Sequence, residues 1–189
     1  MRNAVASILT ALAVAGCESG STGPSVATML NYQVDTARDR SVWLTREGVQ
    51  IHSAAAQPVT IGLPDWTYAA APYCPPALTL GPSGEVVVTS NVIPTLWRID
   101  GETLAVTVHP LSLDVDRDKD VGFAAVVYVA EERAFLAYSQ TQRSVWKIDA
   151  SLRTATRVAT VDFDRPAPAN PRLRDCSGYA RRLSQPRSD

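Results

Sequence analysis

The first group of side chains that could do chemistry is an acidic run, Asp114-Val115-Asp116-Arg117-Asp118-Lys119-Asp120-Val121-Gly122. Alternating aspartates are a common source of oxygen ligands for calcium. An EF-hand-like loop starting at Asp116 would need glycine at its sixth position, where Val121 stands, and a glutamate six residues later, which is absent. Arg117 and Lys119 also offset the negative charge. The run therefore favours a structural loop over a calcium site, and we predict no metal.

The two histidines, His52 and His109, end two similar segments, Val49-Gln50-Ile51-His52 and Val106-Thr107-Val108-His109. We expect them at the same end of outer strands in two different repeats. A zinc site would need both side chains to be adjacent and a third ligand besides. Neither histidine forms a recognisable motif with a cysteine, so we predict no catalytic residue and no cofactor.

The N-terminus has the features of an export signal. A positively charged start is followed by about a dozen mainly apolar residues, which is too short for a helix across a bilayer of about 30 Å and typical of a secretory signal. The run ends in Leu12-Ala13-Val14-Ala15-Gly16-Cys17, which resembles the lipobox of bacterial lipoproteins. The resemblance implies that residues 1–16 are removed and that Cys17 carries palmitate-type acyl chains as residue 1 of the mature protein.

The resemblance to lipoproteins also implies a location. Glu18 rather than aspartate follows Cys17, which favours transport to the outer membrane over retention at the inner one. We therefore expect a cell-envelope protein anchored by lipid to the periplasmic face of the outer membrane. Acyl chains hold a protein there by about 0.8 kcal/mol per buried CH₂. Residues 17–28 are rich in glycine and serine and predict a flexible tether.

The remaining cysteines are Cys74 and Cys176. Export places them in an oxidising compartment, which favours a disulfide over two free thiols. Such a bond would attach a Pro- and Arg-rich tail, residues 166–189, to the start of the second repeat described below. The 18 basic and 19 acidic side chains give a net charge of −1. This balance lacks the basic excess of nucleic-acid-binding proteins, so we expect no nucleic acid as partner.

The central part of the chain repeats itself. Residues 77–100 and 126–149 align without a gap, and each ends in a tryptophan strand, Leu96-Trp97-Arg98-Ile99-Asp100 or Val145-Trp146-Lys147-Ile148-Asp149. Residues 32–43 align with residues 86–97 as a partial copy that ends on Trp43 and lacks its opening strand. Short apolar runs separated by turns predict β-strands, and four strands in about 49 residues match one propeller blade in size.

These repeats resemble the blades of YVTN/NHL-type and gluconolactonase-like β-propellers. The resemblance implies an all-β fold, a β-propeller-like meander of about three four-stranded repeats over residues 29–165. Three blades cannot close a ring, so the chain forms an open arc, assembles with its own copies, or is a shortened relative of a longer propeller. We expect Trp43, Trp97 and Trp146 to pack in the repeat core between neighbouring blades, with an aromatic ligand platform as the alternative.

For function, we predict a lipid-anchored envelope module without catalytic activity, which binds or scaffolds. Its expected partners are the membrane, through the lipid, another envelope protein, and other copies of itself. The alternative is a metal-dependent gluconolactonase-like hydrolase, which holds its metal with Glu, Asn and Asp from several blades. Asn91 is the only such residue at the end of a second strand, since Gln140 and Ala37 stand at the matching positions. The aromatic, Pro-rich connection over residues 65–76 is expected to be a rigid spacer or a recognition loop.

Overall fold

The structure is a computed structural model that describes residues 29–70, 73–114, 120–160 and 176–184. The export signal, Cys17, the tether and residues 115–119 of the acidic run lie outside the described residues. Residues 166–175 of the tail lie outside them too, so the predicted domain boundaries at residues 16, 28 and 165 stay predictions.

Within the described residues, thirteen strands form three sheets, and the consecutive strands of each sheet pair antiparallel. Sheet 1 contains β1 (Met29–Asp35), β2 (Arg40–Thr45), β3 (Gly48–Ser53) and β4 (Ala56–Ile61). Sheet 2 contains β5 (Leu78–Leu80), β6 (Val86–Thr89), β7 (Thr95–Ile99) and β8 (Val106–Pro110). Sheet 3 contains β10 (Ala125–Val129), β11 (Ala134–Ser139), β12 (Ser144–Asp149) and β13 (Thr154–Thr160), and the short β9 (Ser112–Leu113) extends it by pairing parallel with β13.

The sheets stack on one another through their apolar faces. Sheets 1 and 2 enclose one core, which includes Val42 and Trp97, and sheets 2 and 3 enclose another, which includes Leu96 and Trp146. Sheet 2 is therefore covered on both faces, which explains why Val86, its neighbours in β6 and Leu96 are all buried. Continuous apolar runs are typical of strands buried on both sides, whereas alternation marks strands with one wet face.

The first strands of the three sheets lie side by side, because β5 contacts both β1 and β10. We call β1, β5 and β10 the inner strands. Within the described residues the three sheets form an open arc that does not close into a ring. The sequence-based prediction of an all-β fold with about three four-stranded repeats is confirmed.

The position of each strand within sheet 1 differs from the prediction. Its alignment with the second repeat implied a missing opening strand, yet β1 occupies the inner position and the sheet is completed by β4 at the other end. Trp43 consequently lies on the second strand of its sheet, while Trp97 and Trp146 lie on the third. Local similarity around the tryptophan thus identified a strand pair correctly but misplaced it within the sheet.

A short helix, α1 (Ser177–Leu183), follows Cys176 and packs on β10 and β11. Ala180 and Leu183 join the apolar cluster on the face of sheet 3 that points away from sheet 2. No helical periodicity is visible in the sequence here, since seven residues make only two turns. A helix this short is marginal in isolation, so its packing and the neighbouring disulfide must stabilise it.

Candidate functional site

A cleft of about 430 Å³ opens where the inner strands face α1. Residues 29–33 of β1 form one wall, residues 124–126 at the start of β10 and Leu78 of β5 form the back, and Cys176 and Ala180 form the other wall. The lining side chains are apolar or uncharged polar. Such a surface suits an uncharged ligand or the apolar side chains of a peptide.

Gln33 connects two of the inner strands across this cleft. Its Nε2 donates to the Leu78 carbonyl oxygen at 3.4 Å, and its Oε1 accepts from the Leu80 N–H at 3.3 Å. The side-chain amide therefore forms hydrogen bonds with the backbone of β5, as the backbone of a neighbouring strand would. This arrangement fixes β1 beside β5 and defines the floor of the cleft.

A disulfide between Cys74 and Cys176 holds the helical wall in place. Cys74 is fully buried, and its Cα lies 5.6 Å from that of Cys176, within the usual range for a bridge. The bond joins the segment before β5 to the start of α1, so the tail does return to the start of the second repeat. The segment that returns is the short helix α1.

Asn91, the candidate metal ligand of the alternative function, forms hydrogen bonds with the same segment before β5. Its Oδ1 accepts from the Ala69 N–H, and its Nδ2 donates to the carbonyl oxygens of Ala69 and Cys74, all at 2.8 Å. Gln140, at the matching position of the next repeat, accepts from the Cys74 N–H at 2.9 Å. The described residues contain no cluster of three His, Cys, Asp or Glu side chains that could hold a metal. The two amides therefore position the cysteine.

The aromatic connection before Cys74 is pinned to sheet 2. Trp66 Nε1 donates to the Thr89 carbonyl at 3.0 Å, and Ser90 Oγ donates to the Thr67 carbonyl at 2.6 Å. The Trp66 and Tyr68 rings lie 4.6 Å apart. These contacts favour the rigid-spacer interpretation for the described part of the connection, residues 65–70 and 73–76.

The described ends of the acidic run have structural roles. Both carboxylate oxygens of Asp114 accept from the Arg157 N–H at 3.2 Å, which holds β9 against β13. At the other end, the Asp120 carbonyl accepts from Thr141 Oγ1 at 3.3 Å. Residues 115–119 of the run lie outside the described residues, so the structural loop favoured there stays a prediction.

The two histidines lie in different sheets and different strand positions, His52 on β3 and His109 on β8. Burial lowers the pKa of His109, and the positive charges of Arg98 and Arg153 lower it further. Its Nε2 is buried without a hydrogen-bond partner among the described residues. This environment favours a neutral ring and a packing role.

The three tryptophans share a face but differ in burial. Trp97 and Trp146 are 1% and 0% exposed and pack against the preceding sheet. Trp97 Nε1 donates to the Pro64 carbonyl at 2.7 Å, and Trp146 Nε1 donates to Ser144 Oγ at 2.8 Å. Trp43 is only half-buried, because the described residues place no sheet against its side of sheet 1.

Asp100 and Asp149, which end the two tryptophan strands, hold the turns that follow through side-chain hydrogen bonds. Asp100 Oδ1 accepts from the Glu102 and Thr103 N–H groups and from Thr103 Oγ1. The hydrogen bonds from Thr103 and Glu102 lower the pKa of Asp100. Burial would raise the pKa of Asp149, but the equivalent bonds, from Ser151 first and then Thr154 and Arg153, outweigh it and hold that pKa below its usual range.

A buried ion pair joins sheets 1 and 2 and has no signal in the sequence. Arg40 Nε donates to Asp35 Oδ2 at 2.9 Å, and both side chains are under one-tenth exposed. The guanidinium also donates to the Gly84 and Gly101 carbonyls at 2.8 and 3.0 Å. Both carbonyls belong to turns of sheet 2, so only the assembled fold reveals the connection.

The sequence matches no protein-family model and no curated protein. Solved structures that resemble the fold include the following three. A streptogramin B lyase structure aligns at a TM-score of 0.51 and 14% identity over 74% of this chain and 41% of its own. Dihydro-heme d1 dehydrogenase NirN in complex with DHE aligns at 0.51 and 14% over 70% and 28%. Hydrazine synthase of Kuenenia stuttgartiensis aligns at 0.50 and 9% over 77% and 40%.

At these identities the likeness shows the fold alone. It confirms the sequence-based expectation of a β-propeller-like architecture, here as an open arc of three sheets. The chain spans less than half the length of each of the three structures. Within its described residues, no helix has the length and apolar content needed to span a membrane.

Proposed function

We propose that the chain is a lipid-anchored cell-envelope module that binds an extended segment of another envelope protein in the cleft beside α1, without catalysis of its own. The cleft is the observation that carries this proposal. It is bordered by backbone from three inner strands and lined by uncharged side chains. Asn31 and Tyr32 supply polar groups at its edge.

The inner strands favour a peptide over a compact ligand. Within the described residues, β1 pairs with β2 alone and β10 with β11 alone, so each keeps one strand edge toward the cleft. An extended peptide that adds to such an edge gains main-chain hydrogen bonds for affinity and side-chain pockets for specificity. Gln33 already satisfies the edge of β5, which leaves β1 and β10 as the pairing edges.

Binding is tested by placing a photo-crosslinking amino acid at Asn31, in the cleft, and at Val158, which is 39% exposed on β13 outside it. We expect a discrete crosslinked protein from Asn31 and none from Val158. A second substitution, Ala180→Trp, fills the cleft from the helix and should abolish the product. Equal crosslinking from both positions, or a product insensitive to Ala180→Trp, would contradict binding in the cleft.

The anchor is tested separately through the lipobox. We expect Cys17→Ala to leave a full-length precursor that takes up no fatty-acid probe in cells, while the wild-type chain is labelled. Equal labelling of the two proteins would reject lipidation at Cys17 and would leave the cleft proposal untouched.

A further inference from the structure

One face of sheet 1 points away from sheet 2 and carries an aromatic strip. We call this the free face, and it is formed by Tyr32, Val34, Ser41, Trp43 and His52. Tyr32 and Val34 are 57% and 58% exposed, the most exposed of the large hydrophobic side chains described. The Trp43 ring lies 6.2 Å from that of Tyr32 and 5.6 Å from that of His52.

The free face has the character of a sheet-to-sheet interface. On sheet 2 the same face presents Trp97 and packs on sheet 1, and on sheet 3 it presents Trp146 and packs on sheet 2. Trp43 Nε1 donates to Ser41 Oγ at 2.8 Å, as Trp146 Nε1 does to Ser144 Oγ. Because this N–H is satisfied within its own strand, the indole can be covered by apolar atoms at little cost.

The opposite end of the arc is already covered. On sheet 3, α1 packs Ala180 and Leu183 against the outward face, and the Cys74–Cys176 bond fixes the helix there. Head-to-tail association would require two free ends on each chain and would generate rings or filaments. With one free end and one covered end, each chain can join only one other through this kind of face.

The charges of sheet 1 favour pairing of the free face with itself. Asp35 and Arg40 lie on the same strands but point toward sheet 2, where Arg40 bonds to the Gly84 and Gly101 carbonyls. The strand positions on the free face carry no carboxylate, lysine or arginine. Identical surfaces can therefore meet without the like-charge repulsion that opposes most two-fold contacts.

We propose that the free face is a self-association surface, through which two copies of this chain pair sheet 1 against sheet 1 about a two-fold axis. Four strands about 4.8 Å apart and roughly 20 Å long give an area on the order of 400 Å² per copy. Stable dimers bury about 800 Å² per partner. We therefore expect a weak dimer with a dissociation constant in the micromolar range. Tyr32 also lines the edge of the proposed peptide cleft, whereas Val34 does not, so Val34→Lys is the variant that tests this surface alone.

Sedimentation equilibrium of the full chain in density-matched detergent tests the proposal. We expect the wild-type chain to dimerise with rising concentration, and Val34→Lys or Tyr32→Lys to raise the dissociation constant by about tenfold or more. Val108→Lys is the matched control, since Val108 is an exposed valine, at 41%, on β8 of sheet 2. It should dimerise like the wild type.

Far-ultraviolet circular dichroism of each lysine variant separates lost pairing from lost folding, and Tyr32 and Val34 are exposed enough to accept lysine. A wild-type chain that stays monomeric up to about 200 μM overturns the proposal and leaves the free face to a partner of different sequence. A dimer that Val34→Lys and Val108→Lys affect equally overturns it as well.

Discussion

The disulfide offers the sharpest test of how this small arc is stabilised. We consider the double substitution Cys74→Ser with Cys176→Ser, which removes the bond without leaving a free thiol. The two cysteines are 102 residues apart in sequence. In the chain-entropy description, closing a loop of about 100 residues removes unfolded-state freedom equivalent to about 4.7 kcal/mol at 25 °C. Typical domains have total stabilities of about 5–15 kcal/mol, so the expected loss is a large fraction of the whole.

A second contribution comes from the packing of α1. Without the bond the helix is held by Ala180, Leu183 and their contacts with sheet 3. Leu183 is 6% exposed, and replacing a buried leucine by alanine costs about 2–5 kcal/mol. Leu183→Ala with the disulfide intact therefore measures the packing alone, and the double serine variant measures the cross-link together with any packing that it supports.

Urea unfolding followed by tryptophan fluorescence gives the free energy of unfolding for each variant. We expect the double serine variant to lose about 3–5 kcal/mol and Leu183→Ala to lose less. A loss under about 1 kcal/mol for the serine variant would refute the reasoning, since it would mean that the unfolded chain is not restricted by the bond.

Three further predictions concern the interior, each measured by urea unfolding. Trp97→Ala should cost about 3–5 kcal/mol because the ring is fully buried, whereas Trp43→Ala should cost about half as much or less; equal losses would contradict the assigned burial. Arg40→Ala should cost about 3 kcal/mol, since it leaves the buried Asp35 carboxylate without its closest cation, and a loss confined to a few tenths would contradict this role. The lowered pKa of His109 makes the unfolded state bind more protons in acid, so stability should fall as pH drops below about 6.5. His109→Gln should weaken the dependence of stability on pH, and an unchanged pH profile would contradict the role assigned to His109.

The parts of the fold that the sequence predicted are those encoded locally. The second and third repeats align without a gap, and their strands, turns and buried tryptophans have the expected order. The alignment around Trp43 failed to place its strand, because local similarity does not show which strand of a sheet lies innermost. That position is set by the contact of β1 with β5 of the next sheet, and β4 then completes sheet 1 at the other end.

The candidate site was harder to predict from the sequence because it is assembled from distant segments. The cleft is assembled from β1, β5, β10 and α1, whose separations along the chain range up to about 150 residues. Asn91 drew attention as the only candidate metal ligand at the end of a second strand, and Gln140 was noted as the residue at the matching position of the next repeat. Their common task, however, is to hold Cys74, which only the position of the disulfide explains.

The arc can exist without ring closure because each of its apolar faces is shielded from water in a different way. Sheet 2 is enclosed by its neighbours, and the outward face of sheet 3, with Leu136 and Val145, is covered by α1. On sheet 1 the outward face carries aromatic rings, and the Trp43 N–H is satisfied by Ser41 Oγ within its own strand, so the indole tolerates partial exposure. Its outermost strand also contains Pro58, which lacks the N–H that an adding strand would need. The edge of β4 is thus protected against strand addition, whereas the free face is not covered within the described residues. Association is therefore expected through the free face and not through that edge.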